Sequence, residues 1–157
     1  MIRIAKLTDY AIVLLTYFSE DSGQVYNARD LAAQSGLSLP TVSKILKALS
    51  RGALLVSHRG VKGGYSLARH TNQISIAEVI SAVEGPVSMT ECSATAPGLC
   101  DLEPMCPVRT NWQRINRTVR QALEGLTLAD MAQPRAANLA QRKHEQPPLS
   151  LVTRKSV

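Results

Sequence analysis

Along most of this chain apolar residues return every three or four positions, the period of a helix with one buried face. Leu7, Ala11, Leu14, Leu15 and Phe18 set the first stripe, with Thr8 as N-cap and Asp9 in the first turn. Ile12 and Val13 spread apolar surface beyond that stripe, so helix 7–18 is expected to bury two sides, one in its own core and one against a second subunit. Asn27 to Asp30 resembles a capping box, opening a short helix that Ser35-Gly36 ends. Ser38 caps the next helix, with Pro40 in its first turn and Val42, Ile45, Leu46 and Leu49 facing inward. Ser75 and Glu78 form a second capping box, ahead of Ile76, Val79, Ile80 and Val83. From Val108 a narrow stripe of Val108, Trp112, Ile115, Val119, Ala122, Leu123 and Leu126 predicts a long helix that needs a partner. Thr127 to Met131 reads as a last capped turn.

Strand signals replace this period between the third and fourth helices. Leu54 to His58 and Tyr65 to Ala68 read as strands around the turn Arg59-Gly60-Val61-Lys62-Gly63-Gly64. A short helix, a glycine turn, a helix with small polar and basic residues outside, and then a hairpin is the order of a winged helix-turn-helix. The wing glycines are expected to permit positive φ and to let the backbone approach a phosphate or a narrow groove. Arg59 and Lys62 supply charge at its tip, with Arg69 beyond it. The predicted fold is mainly α: a winged helix-turn-helix with a small β-hairpin wing plus a long dimerisation helix. The expected division is 1–85 for DNA binding, 86–107 for a cysteine-rich loop, 108–133 for the dimerisation helix and a short terminal helix, and 134–157 for a mobile basic tail.

Charge sharpens this picture. The chain of 157 residues carries a net +6. Residues 1–75 hold nine Lys/Arg against four Asp/Glu, 76–133 hold four against seven, and 134–157 hold five against one. A basic half-domain is a footprint of nucleic acid or another polyanion. Aromatic residues are only 4%, which leaves the core to Leu, Ile, Val and Ala. No apolar run reaches the ~20 residues that span a bilayer. Asp9 interrupts the signal-like opening and no small-residue cleavage site follows it, so a cytoplasmic protein is expected. No nucleotide loop, G-x-S-x-G elbow or plausible Cys/His catalytic pair is present, which argues against an enzyme.

All three cysteines, Cys92, Cys100 and Cys106, fall in one stretch with C-x7-C-x5-C spacing. Pro97, Gly98 and Pro104 break regular structure there, and Glu91, Asp101 and Glu103 add acid groups. An odd number of thiols in a reducing compartment argues against a disulfide framework and points to a metal or iron–sulfur site. Three sulfurs leave one coordination position.

The string Arg59-Gly60-x-x-Gly63-Gly64-Tyr65-x-Leu67-Ala68, the SIAEVI helix, the three-cysteine loop and the long Trp-containing helix resemble the Rrf2 family of bacterial transcription regulators over roughly residues 1–133. The resemblance is to its iron–sulfur-sensing branch, the IscR and NsrR types. The stretches Cys100-Asp101-Leu102-Glu103 and Asn111-Trp112-Gln113-Arg114-Ile115-Asn116 look like the regulator of the SUF iron–sulfur assembly operon. It implies a homodimeric repressor on a palindromic double-stranded operator, with one cluster (2Fe–2S or 4Fe–4S) per subunit whose loss changes operator affinity. In the IscR type a histidine three residues after the last cysteine completes the ligand set. Here that place is Arg109, which cannot ligate. In the NsrR type the aspartate of helix one of the partner subunit does so, and Asp9 matches it. The implied ligands are Cys92, Cys100, Cys106 and, across the dimer, Asp9; Glu91, Asp101 and Glu103 are local rivals. His58 and His70 lie around the wing, away from that role. Thr41, Ser43 and Lys44 are the candidates for reading bases, and Arg59, Lys62 and Lys47 for phosphate or minor-groove contact; Pro40 and Gly63 are counted with them as DNA-binding. Two other readings stay open. Zinc or reversible thiol oxidation would keep the DNA binding and replace the cluster. An iron–sulfur electron carrier would leave the basic wing without a use.

Overall fold

The computed structural model describes residues 3–18, 23–91, 100–101 and 105–132. The expected basic tail and the loop positions Cys92 and Glu103 lie outside those residues. Helix α1 spans Lys6–Phe18, α2 Ala28–Ser35, α3 Leu39–Arg51, strand β1 Leu55–His58, β2 Gly64–Leu67, α4 Ile76–Glu84, α5 Arg109–Glu124 and α6 Leu128–Met131. The core gathers Ala11, Leu14, Leu15 and Phe18 of α1, Leu31 of α2, the four inward residues of α3, and Val79 of α4. Ile74 and Leu128 close it.

Thr8 does not cap α1. It lies inside the helix, fully buried, and its hydroxyl donates to Glu84 Oε1. The same oxygen accepts from the Ala5 amide at 3.2 Å. The carboxylate at the far end of α4 thus takes up one backbone amide ahead of α1 and the Thr8 hydroxyl, while the Thr8 and Asp9 amides bond Ala5 O at 3.0 and 3.2 Å. The helix-turn-helix follows its sequence closely. Gly36 takes a left-handed φ of 72° and its amide bonds Ala32 O at 3.0 Å. Ser38 Oγ accepts from the Thr41 amide at 3.4 Å and lies 2.8 Å from the Thr41 hydroxyl. Asn27 Oδ1 accepts from the Arg29 and Asp30 amides at 3.0 and 2.9 Å, and the return contact of this cap is between side chains, Asn27 Nδ2 donating to Asp30 Oδ2 at 2.6 Å.

The wing is a two-stranded antiparallel hairpin pairing Leu55 with Leu67 and His58 with Gly64. Tyr26 extends it to a third position: Tyr26 N to Tyr65 O and Tyr65 N to Tyr26 O are both 2.8 Å. Positive φ is confined to Gly60 among the wing glycines. Gly63 and Gly64 are needed for space instead. A Cβ on Gly63 would stand 2.5 Å from His58 O, and one on Gly64 2.5 Å from Tyr26 O. Gly64→Ala is expected to push β2 off Tyr26 and to lower unfolding free energy by about 1–3 kcal/mol. Chemical denaturation, with amide exchange followed at Tyr26 and Tyr65, measures it; unchanged protection of both amides would contradict the crowding.

After β2 a 3-10 turn, Thr71–Gln73, leads to α4 and its complete Ser75/Glu78 capping box. The second complete box, Thr127/Asp130, opens α6. The Thr127 hydroxyl and amide hold the Asp130 carboxyl below the usual carboxylate range. The two boxes meet through an antiparallel bridge between Ser75 and Thr127. Ile76 N bonds Leu126 O at 2.9 Å and Leu128 N bonds Ile74 O at 2.8 Å. Helix α5 contains no fully buried residue.

Candidate nucleic-acid interface and cysteine site

With 100° per residue, the residues of α3 opposite its buried stripe are Pro40, Ser43, Lys44, Lys47 and Arg51. Pro40, Lys44, Lys47 and Arg51 are exposed and Ser43 is half-buried. Thr41 sits on the flank, half-buried, its hydroxyl engaged with Ser38. Arg51 was absent from the candidates above. Its signal was present in the sequence, because it stands four residues from Lys47 and seven from Lys44.

At the wing tip Gly63 N donates to Gly60 O at 2.9 Å, making Val61 and Lys62 the central residues of a tight turn. Arg59, Val61 and Lys62 are exposed, while Gly63 is half-buried at the turn's base. His58 Nε2 lies 2.8 Å from Ser66 Oγ, within the wing. Arg69 differs from its expected role as loose positive charge. Its Nη2 donates to Glu78 Oε1 at 2.7 Å and its Nη1 to Gln73 O at 3.0 Å. Partial burial pushes the Glu78 carboxyl up, but hydrogen bonds from the Ser75 amide, Arg69 and the Ser75 hydroxyl, with the Arg69 charge, outweigh it and hold the group below the usual range. The stability this gives is complete above the ordinary carboxylate pKa and is lost as pH falls through the lowered folded value.

Cys100 and Cys106 are half-buried free thiols. Cys106 O accepts from the Arg109 amide at 3.3 Å, so the last cysteine stands at the threshold of α5. The segment leading into the loop is pinned to the same helix: Met89 N donates to Asn116 Oδ1 at 3.1 Å. Asp9, Glu91 and Asp101 are exposed. Among the described residues no three Cys, His, Asp or Glu side chains converge on a common metal position. The donor chemistry nevertheless fits an iron–sulfur group: both described thiols are free and partly withdrawn from water, and Asp9 is exposed on α1. Beside them α5 shows an apolar face. Val108, Trp112 and Ile115 are exposed, with Trp112 at 37%, while Val119 and Leu123 are half-buried. Among the described residues no helix is long and apolar enough to cross a membrane.

Residues 4–134 match the Rrf2 family model, described as an iron-dependent transcriptional regulator. The chain is 35% identical over 134 residues to an HTH-type transcriptional regulator of Mycobacterium tuberculosis, covering 83% of this chain and 81% of that one. It is 31% identical over 136 residues to the HTH-type transcriptional regulator NsrR of Geobacillus kaustophilus, covering 86% and 92%. The solved structure of CymR, the global cysteine regulator of B. subtilis, superposes with a TM-score of 0.65 at 28% identity, covering 84% of this chain and 97% of that one. These relatives are regulators, not enzymes. A helix-turn-helix with a basic outer face, a glycine-tipped wing, and a match over nearly all the described residues together establish that the chain belongs to the Rrf2 family of DNA-binding transcriptional regulators.

Proposed function

We propose that this protein is a cytoplasmic, homodimeric repressor whose operator affinity depends on an iron–sulfur cluster held by Cys92, Cys100, Cys106 and Asp9 of the partner subunit, and that it controls iron–sulfur assembly genes of the SUF type. The observation that carries this reading is the position of the free, half-buried Cys106 at the start of the helix whose apolar face is exposed. When bound, a cluster supplies an oxidisable and labile centre. The chain's residues do the rest. Asn116 holds the leading segment of the loop on α5. Val108, Trp112 and Ile115 provide an apolar face suited to a second copy of α5. Pro40, Ser43 and Lys44, with Thr41 on their flank, present the reading face of α3, and Lys47, Arg59, Lys62 and the Gly63 backbone meet phosphates or the minor groove. A two-fold dimer then reads half-sites about one helical turn apart. The SUF assignment is supported by the CDLE and NWQRIN stretches.

Anaerobic spectroscopy of the wild type beside Asp9→Ala tests the ligand set. Visible charge-transfer absorption is expected in the wild type, and loss of colour at least about tenfold faster in the variant. Equal spectra and equal decay would remove Asp9 from the site. A second reading, direct sensing through thiols, is favoured by the free state of Cys100 and Cys106 and by the likeness to CymR. A colourless, iron-free protein whose operator binding follows thiol oxidation would select it.

A further inference from the structure

We infer that Arg69 is a positioning residue for DNA binding: it ties the outgoing strand of the wing to the start of α4, and so fixes where Arg59 and Lys62 stand relative to α3. The inference rests on the wing being a DNA contact. Strand β2 ends at Leu67, and two residues later the Arg69 guanidinium reaches across the 3-10 turn to Gln73 O and Glu78 Oε1. The second Glu78 oxygen accepts from the Ser75 amide at 2.8 Å and is 3.1 Å from its hydroxyl. Arg69, Gln73, Ser75 and Glu78 thus close a ring over residues 69–78. That ring is seated on the core, since Ile74 and Leu128 are fully buried and paired through their backbones. The wing has a tether on each side: the Tyr26–Tyr65 bridge and this ring. Between β2 and α4 the backbone is held at Ala68, whose amide bonds Leu54 O at 3.0 Å, and in the 3-10 turn, where Gln73 N bonds His70 O at 2.9 Å; the side chains of Ala68, His70, Asn72 and Gln73 are exposed, so Arg69 adds the side-chain link across this connection.

The Arg69–Glu78 pair is about 40% exposed on each side. An ion pair so placed adds little to stability. What it restricts is direction, because the planar guanidinium satisfies two acceptors at once. Charge and geometry also predict opposite outcomes at Glu78. Glu78→Gln removes a negative charge from the DNA-binding half of the chain, which by electrostatics alone strengthens DNA binding. Gln preserves the capping box while ending the ion pair, so positioning predicts weaker binding.

The test is binding to a duplex that the full-length protein selects from a random-sequence pool, measured across salt concentrations. Arg69→Gln and Glu78→Gln are each expected to weaken binding about threefold or more, with the double variant no worse than either single one. The slope of log affinity against log salt stays at the wild-type value in both single variants. Lys62→Ala, a phosphate contact in each of the two subunits, weakens binding and lowers that slope by about 1.8. Stronger binding by Glu78→Gln, or a slope loss in Arg69→Gln equal to that of Lys62→Ala, overturns the inference and makes Arg69 an ordinary charge. Unchanged affinity and slope in Lys62→Ala removes the wing from the DNA interface, and the inference with it.

Discussion

Cys106→Ser is expected to give a folded protein that retains almost no iron or labile sulfide after anaerobic reconstitution. The residue is half-buried in irregular chain ahead of α5, where exchanging a thiol for a hydroxyl costs less than about 1 kcal/mol. Its value lies in the sulfur. A thiolate is the soft donor that iron–sulfur groups require, and a serine hydroxyl at neutral pH stays protonated. Loss of one of three thiolates should lower retention by more than about 100-fold, beyond the 10–100-fold typical of losing an outer hydrogen-bond partner. Iron and sulfide analysis, with visible absorption, measures the first effect, and the thermal midpoint checks the second. Wild-type iron in the variant would show that Cys106 is not a ligand.

The largest effect on stability is expected at Phe18. Its ring ends α1 and is 1% exposed. It meets Tyr26 edge-on, with centroids 5.0 Å apart and planes at 65°. Phe18→Ala opens a cavity and loses that contact, for a cost of about 3–5 kcal/mol. Against the 5–15 kcal/mol that holds a typical domain together, this is a large fraction. Tyr26 is also the tether of the wing, so amide protection at Tyr26 and Tyr65 should fall by more than protection in α3. Urea denaturation showing a loss under about 1 kcal/mol would mean that the neighbouring side chains collapse into the space.

Much of this fold could be read from the sequence where the determinant is local. Ser38, Ser75 and Thr127 cap helices because each bonds an amide three residues on, and Val42, Ile45, Leu46 and Leu49 declare their face by spacing alone. The misread residues are those whose partners are distant. Thr8 resembles a cap in sequence, but its partner is Glu84, 76 residues away. Arg69 resembles a free cation until the 3-10 turn brings Glu78 to it. The Tyr26–Tyr65 and Ser75–Thr127 bridges are single pairs, too short to leave any alternation in the sequence. Of the candidate site, the basic faces of α3 and the wing are present at the expected positions. The proposed gathering of thiols with Asp9 rests on resemblance alone, because it would join residues of two subunits and, among the described residues, no three such ligands converge.

Leu128 sits in the core made by residues 11 to 80, and its amide completes the pairing at Ile74. During synthesis, therefore, the core of the DNA-reading half is complete only after the cysteine segment and all of α5 have been made. A chain interrupted before residue 126 lacks a buried leucine and two backbone hydrogen bonds, at Ile74 and Ile76. The helix-turn-helix half is thereby tied, in its own core, to the far end of the described chain.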